Sequence, residues 1–224
     1  MKLTLLGGGQ EVGRSAVLVE DKKSVLLDYG TKIEPSPPQF PFYCRPDFAV
    51  LSHAHLDHCG GTPLLFRQAK PPMYMTDVTM ELSALLLKDS MKVARKEGFY
   101  LPFAKQDANK LVRHAKLVNY REHFRLGNFS GQLYDAGHIP GSSGILLSGK
   151  KDVFYTGDIQ TTESHLLHGC SLPKSADVLV IESTYGRKDH PDRRKEEKKL
   201  LDYVEEALAN NASVLLPVFA VGRS

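Results

Sequence analysis

Cysteine is scarce in this sequence: Cys44, Cys59 and Cys170 are an odd set of three with no Cys-x-x-Cys pair. That spacing excludes a disulfide-built scaffold and a structural zinc site made of cysteines alone. Long apolar runs are also missing. No stretch reaches the ~18–20 residues that span a bilayer. The first run, Met1 to Gly7, stops at a glycine cluster and carries no cleavage site. It reads as a first strand rather than a signal peptide, so the expected compartment is the cytoplasm, with no membrane partner. Neither sign of charge dominates: the formal net charge is +3, which permits a nucleic-acid partner without arguing for one. There is no internal repeat and no low-complexity tract. What remains is ordinary globular composition, 42% apolar and 25% charged. The 224 residues suffice for one sizeable core, or for one domain plus the start of another.

Short apolar stretches separated by Gly or charged turns open the chain. Leu3–Leu6, Ala16–Val19, Val25–Leu27 and Phe48–Leu51 read as strands, and the proline-rich 32–46 as a loop. Two helices follow, over 62–68 and 77–96. The second has apolar residues at three- and four-residue spacing (Met80, Leu82, Leu85, Leu86, Met91), Thr76 or Asp77 to cap it and Gly98 to end it. A further helix is expected over 104–114. Strand patterning with Gly turns returns from 116 to 160. Val178–Ile181 reads as a strand, 192–209 as a charged amphipathic helix, and Val214–Val218 as a last strand. This order suits an α+β fold of two sheets packed face to face with helices outside.

The strongest chemical signal is His53-x-His55-x-Asp57-His58, which follows a strand and precedes Gly60-Gly61. Imidazoles at i and i+2 on an extended loop can face one ion, and the Asp and next His can turn to a second. Zinc accepts imidazole nitrogen and carboxylate oxygen, and a catalytic site keeps one position for water. The bland alternative is a polar loop with surface histidines. Three further residues weigh against it: Asp28, His138 in a Gly-rich turn, and Asp158. Each sits at a strand end, where one edge of a sandwich gathers side chains.

The ordered set Asp28, His53-x-His55-x-Asp57-His58, His138 and Asp158 resembles the first four motifs of the metallo-β-lactamase superfamily. The resemblance implies an αβ/βα sandwich, partial in this chain, with two zinc ions at one edge. His53, His55 and His138 would bind one zinc, Asp57 and His58 the other, and Asp158 would bridge them. Asp28 would hold the ligands in place. Within the superfamily, Val180-Ile181-Glu182-Ser183-Thr184-Tyr185-Gly186 resembles motif A of the β-CASP nucleases. Leu216 to Arg223 resembles the beginning of their cap domain. The His138-Ile139-Pro140-Gly141-Ser142 turn and the run from Gly7 to Ser15 are most similar to archaeal members related to the cleavage and polyadenylation specificity factor endonuclease.

Two domains are therefore expected, a metallo-β-lactamase part over 1–180 and the beginning of a β-CASP cap over 181–224. The group's two later motif histidines lie past Ser224, so the chain reads as the N-terminal portion of a longer enzyme. The implied activity is hydrolysis of RNA phosphodiester bonds, endonucleolytic and in some members also 5′-3′ exonucleolytic. A hydroxide between the zincs would attack phosphorus, with Asp57 as ligand and proton acceptor. Asp28 and Glu182 would support the reaction, Glu182 by orienting a motif histidine. RNA is the expected partner, and a homodimer is among the assemblies open to the full-length protein. The alternatives are a small-molecule hydrolase of the glyoxalase II thioesterase kind, which has no use for the Glu182 segment, and an RNA-processing subunit that binds without cutting.

Weaker signals resolve to plainer readings. The Gly7-x-Gly9-x-x-x-Gly13 spacing is wrong for a dinucleotide loop and suits a tight turn. The basic residues from Arg187 to Lys199 could track an RNA backbone. They alternate with Asp and Glu, as on a solvated helix face. Cys59 reads as a small buried filler, and His165, His168 and His190 as surface residues.

Overall fold

The computed structural model describes residues 1–34 and 36–222, apart from the Gln68 side chain. In chain order the elements are β1 (Lys2–Gly7), β2 (Ala16–Glu20), β3 (Ser24–Leu27), β4 (Phe48–Val50), α1 (Leu56–Cys59), α2 (Thr62–Gln68), β5 (Met73–Met75), α3 (Asp77–Glu97), α4 (Lys105–Ala108), α5 (Lys110–His114), β6 (Ala115–Leu117), β7 (His123–Leu126), β8 (Phe129–Asp135), β9 (Ser143–Ser148), β10 (Val153–Tyr155), β11 (Val178–Val180) and α6 (Arg193–Ala209). The chain divides into two compact units, Met1–Glu182 and Ser183–Ser224.

The first unit is an α+β fold built on two mixed sheets. One sheet has the order β1-β2-β3-β4-β5-β6, antiparallel through β3 and parallel from β3 to β6. The other has the order β11-β10-β9-β8-β7, with only β10 and β11 parallel. Strand alternation sorts the apolar residues into two cores. On β3, Val25 and Leu27 enter the core between the sheets, while Leu26 enters the core under the helices. That is why β3 reads as an unbroken apolar run: both of its faces are buried. Each such buried aliphatic side chain contributes about 1.5–3 kcal/mol.

All five helices of this unit contribute to the core on the outer face of the first sheet, and none contributes to the core between the sheets. The layers are helix, sheet, sheet. The outer helical layer that an αβ/βα sandwich has on its second sheet is not among the described residues of this unit.

Several expectations need correction. In α3, Thr76 is the cap, its hydroxyl accepting from the Thr79 amide, and Gly98 ends the helix in a left-handed conformation. The buried stripe of α3, however, is Thr79, Ser83, Leu87 and Ala94, while Leu85 is exposed. The helix expected over 104–114 is two short helices that meet at Asn109. The Gly-rich segment after β1 is a loop with left-handed backbone at Gly8, Gln10, Gly13 and Arg14.

The second unit, taken by itself, is α6 and its flanking segments. Asp192 caps α6 by accepting from the Lys195 amide. Val214–Val218 forms no strand. A strand exists only when a ladder partner is present, and this unit holds no other strand among its described residues. The Arg223 end of the segment that resembles a cap domain lies outside the described residues.

Candidate metal centre

The expected site residues follow strand ends. Asp28 comes directly after β3, His53 and His55 follow β4, His138 lies in the β8–β9 turn, and Asp158 follows β10. The backbone at His55 is extended (φ −60°, ψ 144°), so His53 and His55 share a side. The extended segment ends there. Asp57 and His58 sit on the single turn of α1, and that turn swings them away from His53 and His55.

The side chains form two donor groups. In the first, His55 Nδ1 lies 3.2 Å from His53 Nε2 and 3.1 Å from His138 Nε2. Asp158 Oδ2 lies 3.7 Å from His53 Nε2 and 3.4 Å from His138 Nε2. In the second, His58 Nε2 lies 3.1 Å from Asp158 Oδ1 and 3.8 Å from Asp57 Oδ2. Within each group the donor atoms lie within 4.8 Å of one another, so each group can hold a metal ion. Asp158 serves both, one oxygen toward each. Imidazole nitrogen with carboxylate oxygen is a donor set that divalent transition ions accept, and the residues present fit such an ion.

Close packing builds the second group. Gly30 passes so near α1 that a Cβ there would meet the Asp57 carbonyl oxygen at 1.6 Å. Without a side chain at 30, Tyr29 and Thr31 donate their amides to the His58 and Leu56 carbonyls at 2.9 and 2.8 Å. The Ser15 amide donates to the Asp57 carbonyl at 2.8 Å, and its hydroxyl lies 3.5 Å from His58 Nε2. Ser15 is presented by the loop after β1. Glu11 holds that loop, accepting from Arg14 at 2.6 Å and from Lys32 at 2.9 Å. Those cations hold the Glu11 carboxyl down at about 2.

Asp28 is buried and has a left-handed backbone, φ 60°. A non-glycine residue there costs about 1–3 kcal/mol. Four hydrogen bonds offset it. Oδ1 accepts from the Ser52 amide, and Oδ2 from the Ser52 hydroxyl, His58 Nδ1 and the Tyr155 hydroxyl, each at 2.7 Å. The Ser52 carbonyl in turn accepts from the amide and hydroxyl of Ser143, at 2.8 and 3.1 Å, which joins the segment after β4 to β9.

Burial and neighbours set the charges. Burial pushes His53 well below its ordinary value, and His58, His55 and His138 add to the effect. His138 is also lowered, by burial first. Burial works to lower His58, but Asp28 and Asp158 more than reverse it and raise it well above its usual range. Burial works to raise Asp158, and His58 turns the balance downward. Burial and then Asp28 raise the Tyr155 phenol.

Glu182 lies just past β11, and its Oε1 accepts from the Ile159 amide, next to Asp158, at 3.1 Å. Ser52 and Tyr155 were not anticipated as site residues. Ser52 directly precedes His53 and Tyr155 lies three residues before Asp158, and a polar side chain at a buried strand end is their only signal. Cys59 is fully buried, donates to the Ala54 carbonyl and is pushed up to about 12 by burial, as suits a filler. His165, His168 and His190 are exposed, and so are Arg187, Lys188, Arg193, Arg194, Lys195, Lys198 and Lys199.

Comparison with known proteins identifies the lineage. The family model described as "Anti-Pycsar protein Apyc1" matches residues 1–179. The chain belongs to the Apyc1 family. The Apyc1-family stretch holds every residue of both donor groups, with Asp28, Ser52 and Tyr155, and ends before Glu182. Among relatives, the "Probable RNase MJ4" of Methanocaldococcus jannaschii is 38% identical over 100% of this chain and 55% of its own length. The "RNase aCSPSF2" of Saccharolobus solfataricus is 38% identical over 99% of this chain and 46% of its own. The chain thus spans about half the length of the curated relatives it matches. A crystal structure of an Enterococcus faecalis protein of unknown function aligns with TM-score 0.56 at 19% identity, covering 92% of this chain and 57% of that one. That likeness speaks for the fold alone.

Proposed function

We propose that this chain carries the metal centre of a metallo-β-lactamase-fold ribonuclease of the β-CASP group, which hydrolyses RNA phosphodiester bonds with two zinc ions. The observation that carries the reading is the pair of donor groups that share Asp158, one oxygen to each. The names of the relatives, both RNases, supply the substrate class. When bound, the zinc ions would supply an acidified water and positive charge for the phosphate oxygens.

The protein's own residues do the rest. His53, His55 and His138 hold the first position, and Asp57 and His58 the second. Asp28 fixes the His58 ring by accepting a hydrogen bond from its Nδ1. Asp57 is the more exposed carboxylate, 35% against 25% for Asp158. It is the one placed to take a proton from the attacking water. Glu182 holds the amide that follows Asp158, which fixes the turn carrying the bridging carboxylate. Its expected contact with a motif histidine belongs to this same proposal.

The test is a side-by-side assay of zinc-loaded full-length protein on end-labelled RNA and on a thioester. RNA cleavage that disappears in Asp57→Ala and His58→Ala is the expected result. Thioester turnover without RNA cleavage would instead favour the glyoxalase II-like alternative. Full RNA cleavage by chelator-treated Asp57→Ala would overturn the two-metal mechanism.

A further inference from the structure

We infer that one carboxylate, Asp28, sets which ring nitrogen faces the metal position in both donor groups. It reaches His58 directly and His53 through the Ser52 hydroxyl, and Ser52 and Tyr155 are positioning residues of the centre. The inference rests on the metal-binding part of the proposed function and not on its substrate.

Proton counting carries the argument. A carboxylate accepts hydrogen bonds and has none to give, and a serine hydroxyl has a single proton. Ser52 Oγ stands 2.7 Å from Asp28 Oδ2 and 3.0 Å from His53 Nδ1. Its proton goes to the carboxylate, because otherwise two oxygen lone pairs would face each other at 2.7 Å. Toward His53 the hydroxyl therefore presents a lone pair, so His53 Nδ1 carries the hydrogen. The His53 Nε2 lone pair is then left for the first donor group, where it faces His55 Nδ1 at 3.2 Å. The reverse assignment would put a proton on His53 Nε2, in the middle of the atoms that must receive the ion.

Burial enforces this choice. Ser52 and His53 are both 0% exposed, and a buried donor without an acceptor costs about 1–3 kcal/mol. Asp28 Oδ2 also accepts from His58 Nδ1, which directs His58 Nε2 to the second group. Tyr155 reaches the same oxygen from the end of β10 in the second sheet. Its phenol pins the carboxylate against rotation. The two groups thus share two carboxylates: Asp158 between them, and Asp28 behind them.

The decisive measurement is a long-range proton–nitrogen NMR correlation on histidine-labelled protein, first metal-free and then with zinc. We expect His53 to carry its proton on Nδ1 in both states. Ser52→Ala should abolish that preference and weaken zinc binding at the first group by about 10–100-fold, the usual effect of removing a partner that orients a ligand. The second group's affinity should fall less, because Asp28 keeps its bonds to His58 Nδ1, the Tyr155 hydroxyl and the Ser52 amide. Tyr155→Phe should reduce zinc affinity at both groups. A metal-free wild-type His53 protonated on Nε2 would overturn the relay, and so would Ser52→Ala with unaltered tautomer and affinity. Wild-type spectra decide the matter even if the variants fail to fold. Protein that takes up no zinc would sink the two-metal reading, while its metal-free spectrum still decides the relay.

Discussion

The two donor groups are assembled at different ranges. The first draws on three separate places in the fold: the segment after β4, the β8–β9 turn and the end of β10. It exists only when the two sheets are docked in register. The second takes adjacent residues, Asp57 and His58, from the one turn of α1 and adds only Asp158 from afar. It is strapped to its own sheet by residues 28–31 and by Ser15. The charge settings differ as well. The first group has His53 and His138 lowered by burial, so they are neutral donors in waiting. The second has His58 raised between two carboxylates. One group is long-range, with two of its histidines lowered by burial, the other local and ion-paired, and a single aspartate joins them.

The most direct way to break this contrast is Asp158→Ala. It removes a donor from both groups at once, and zinc affinity at each should fall by more than the ~10–100-fold typical of a lost supporting residue. Titration calorimetry with zinc checks it; an unaffected group would not include Asp158. Gly30→Ala attacks the local group through its packing. A methyl group 1.6 Å from the Asp57 carbonyl oxygen forces the backbone apart, and unfolding free energy should drop by about 4 kcal/mol or more. In chemical denaturation the variant should unfold early. In any folded fraction, zinc at the second group should be lost before zinc at the first.

Single-group variants sharpen the comparison. His138→Ala should remove one zinc equivalent and Asp57→Ala the other, read as stoichiometry by elemental analysis after desalting. Equal loss of both ions in either variant would mean that the groups are not separable. The smallest effect belongs to Glu11, which steadies the loop behind the second group. Its folded value of about 2 lies below the ordinary 4.5. The stability it adds is fully present above 4.5 and is lost as the pH falls through about 2. Glu11→Gln should lower stability at neutral pH by less than about 1 kcal/mol. Thermal unfolding across that range should show the two proteins converging near the acid end.

The same contrast explains what was readable from sequence. The local group announces itself, because Asp57 and His58 are neighbours in a histidine-rich hexapeptide. Asp28, His138 and Asp158 carry no local signature beyond a strand end, and only their order, matched to a family pattern, brought them in. Tyr155 and Asp28 are 127 positions apart, and no periodicity links them. Patterning placed most strands of both sheets, since alternation follows from burial. It failed at Val214–Val218, where β-rich composition has no partner strand among the described residues. It also merged α4 with α5, because Asn109 interrupts the helix while keeping a helical backbone, φ −65° and ψ −17°.

The double hydrogen bond from Ser143 to the Ser52 carbonyl has a consequence for how the protein can be watched. It ties a strand of one sheet to the segment that carries His53 in the other. If the sheets slide or part, this bond must open along with the first donor group. Deuterium uptake at the Ser143 amide therefore acts as a built-in clock for excursions that dismantle the centre, legible without metal, substrate or label.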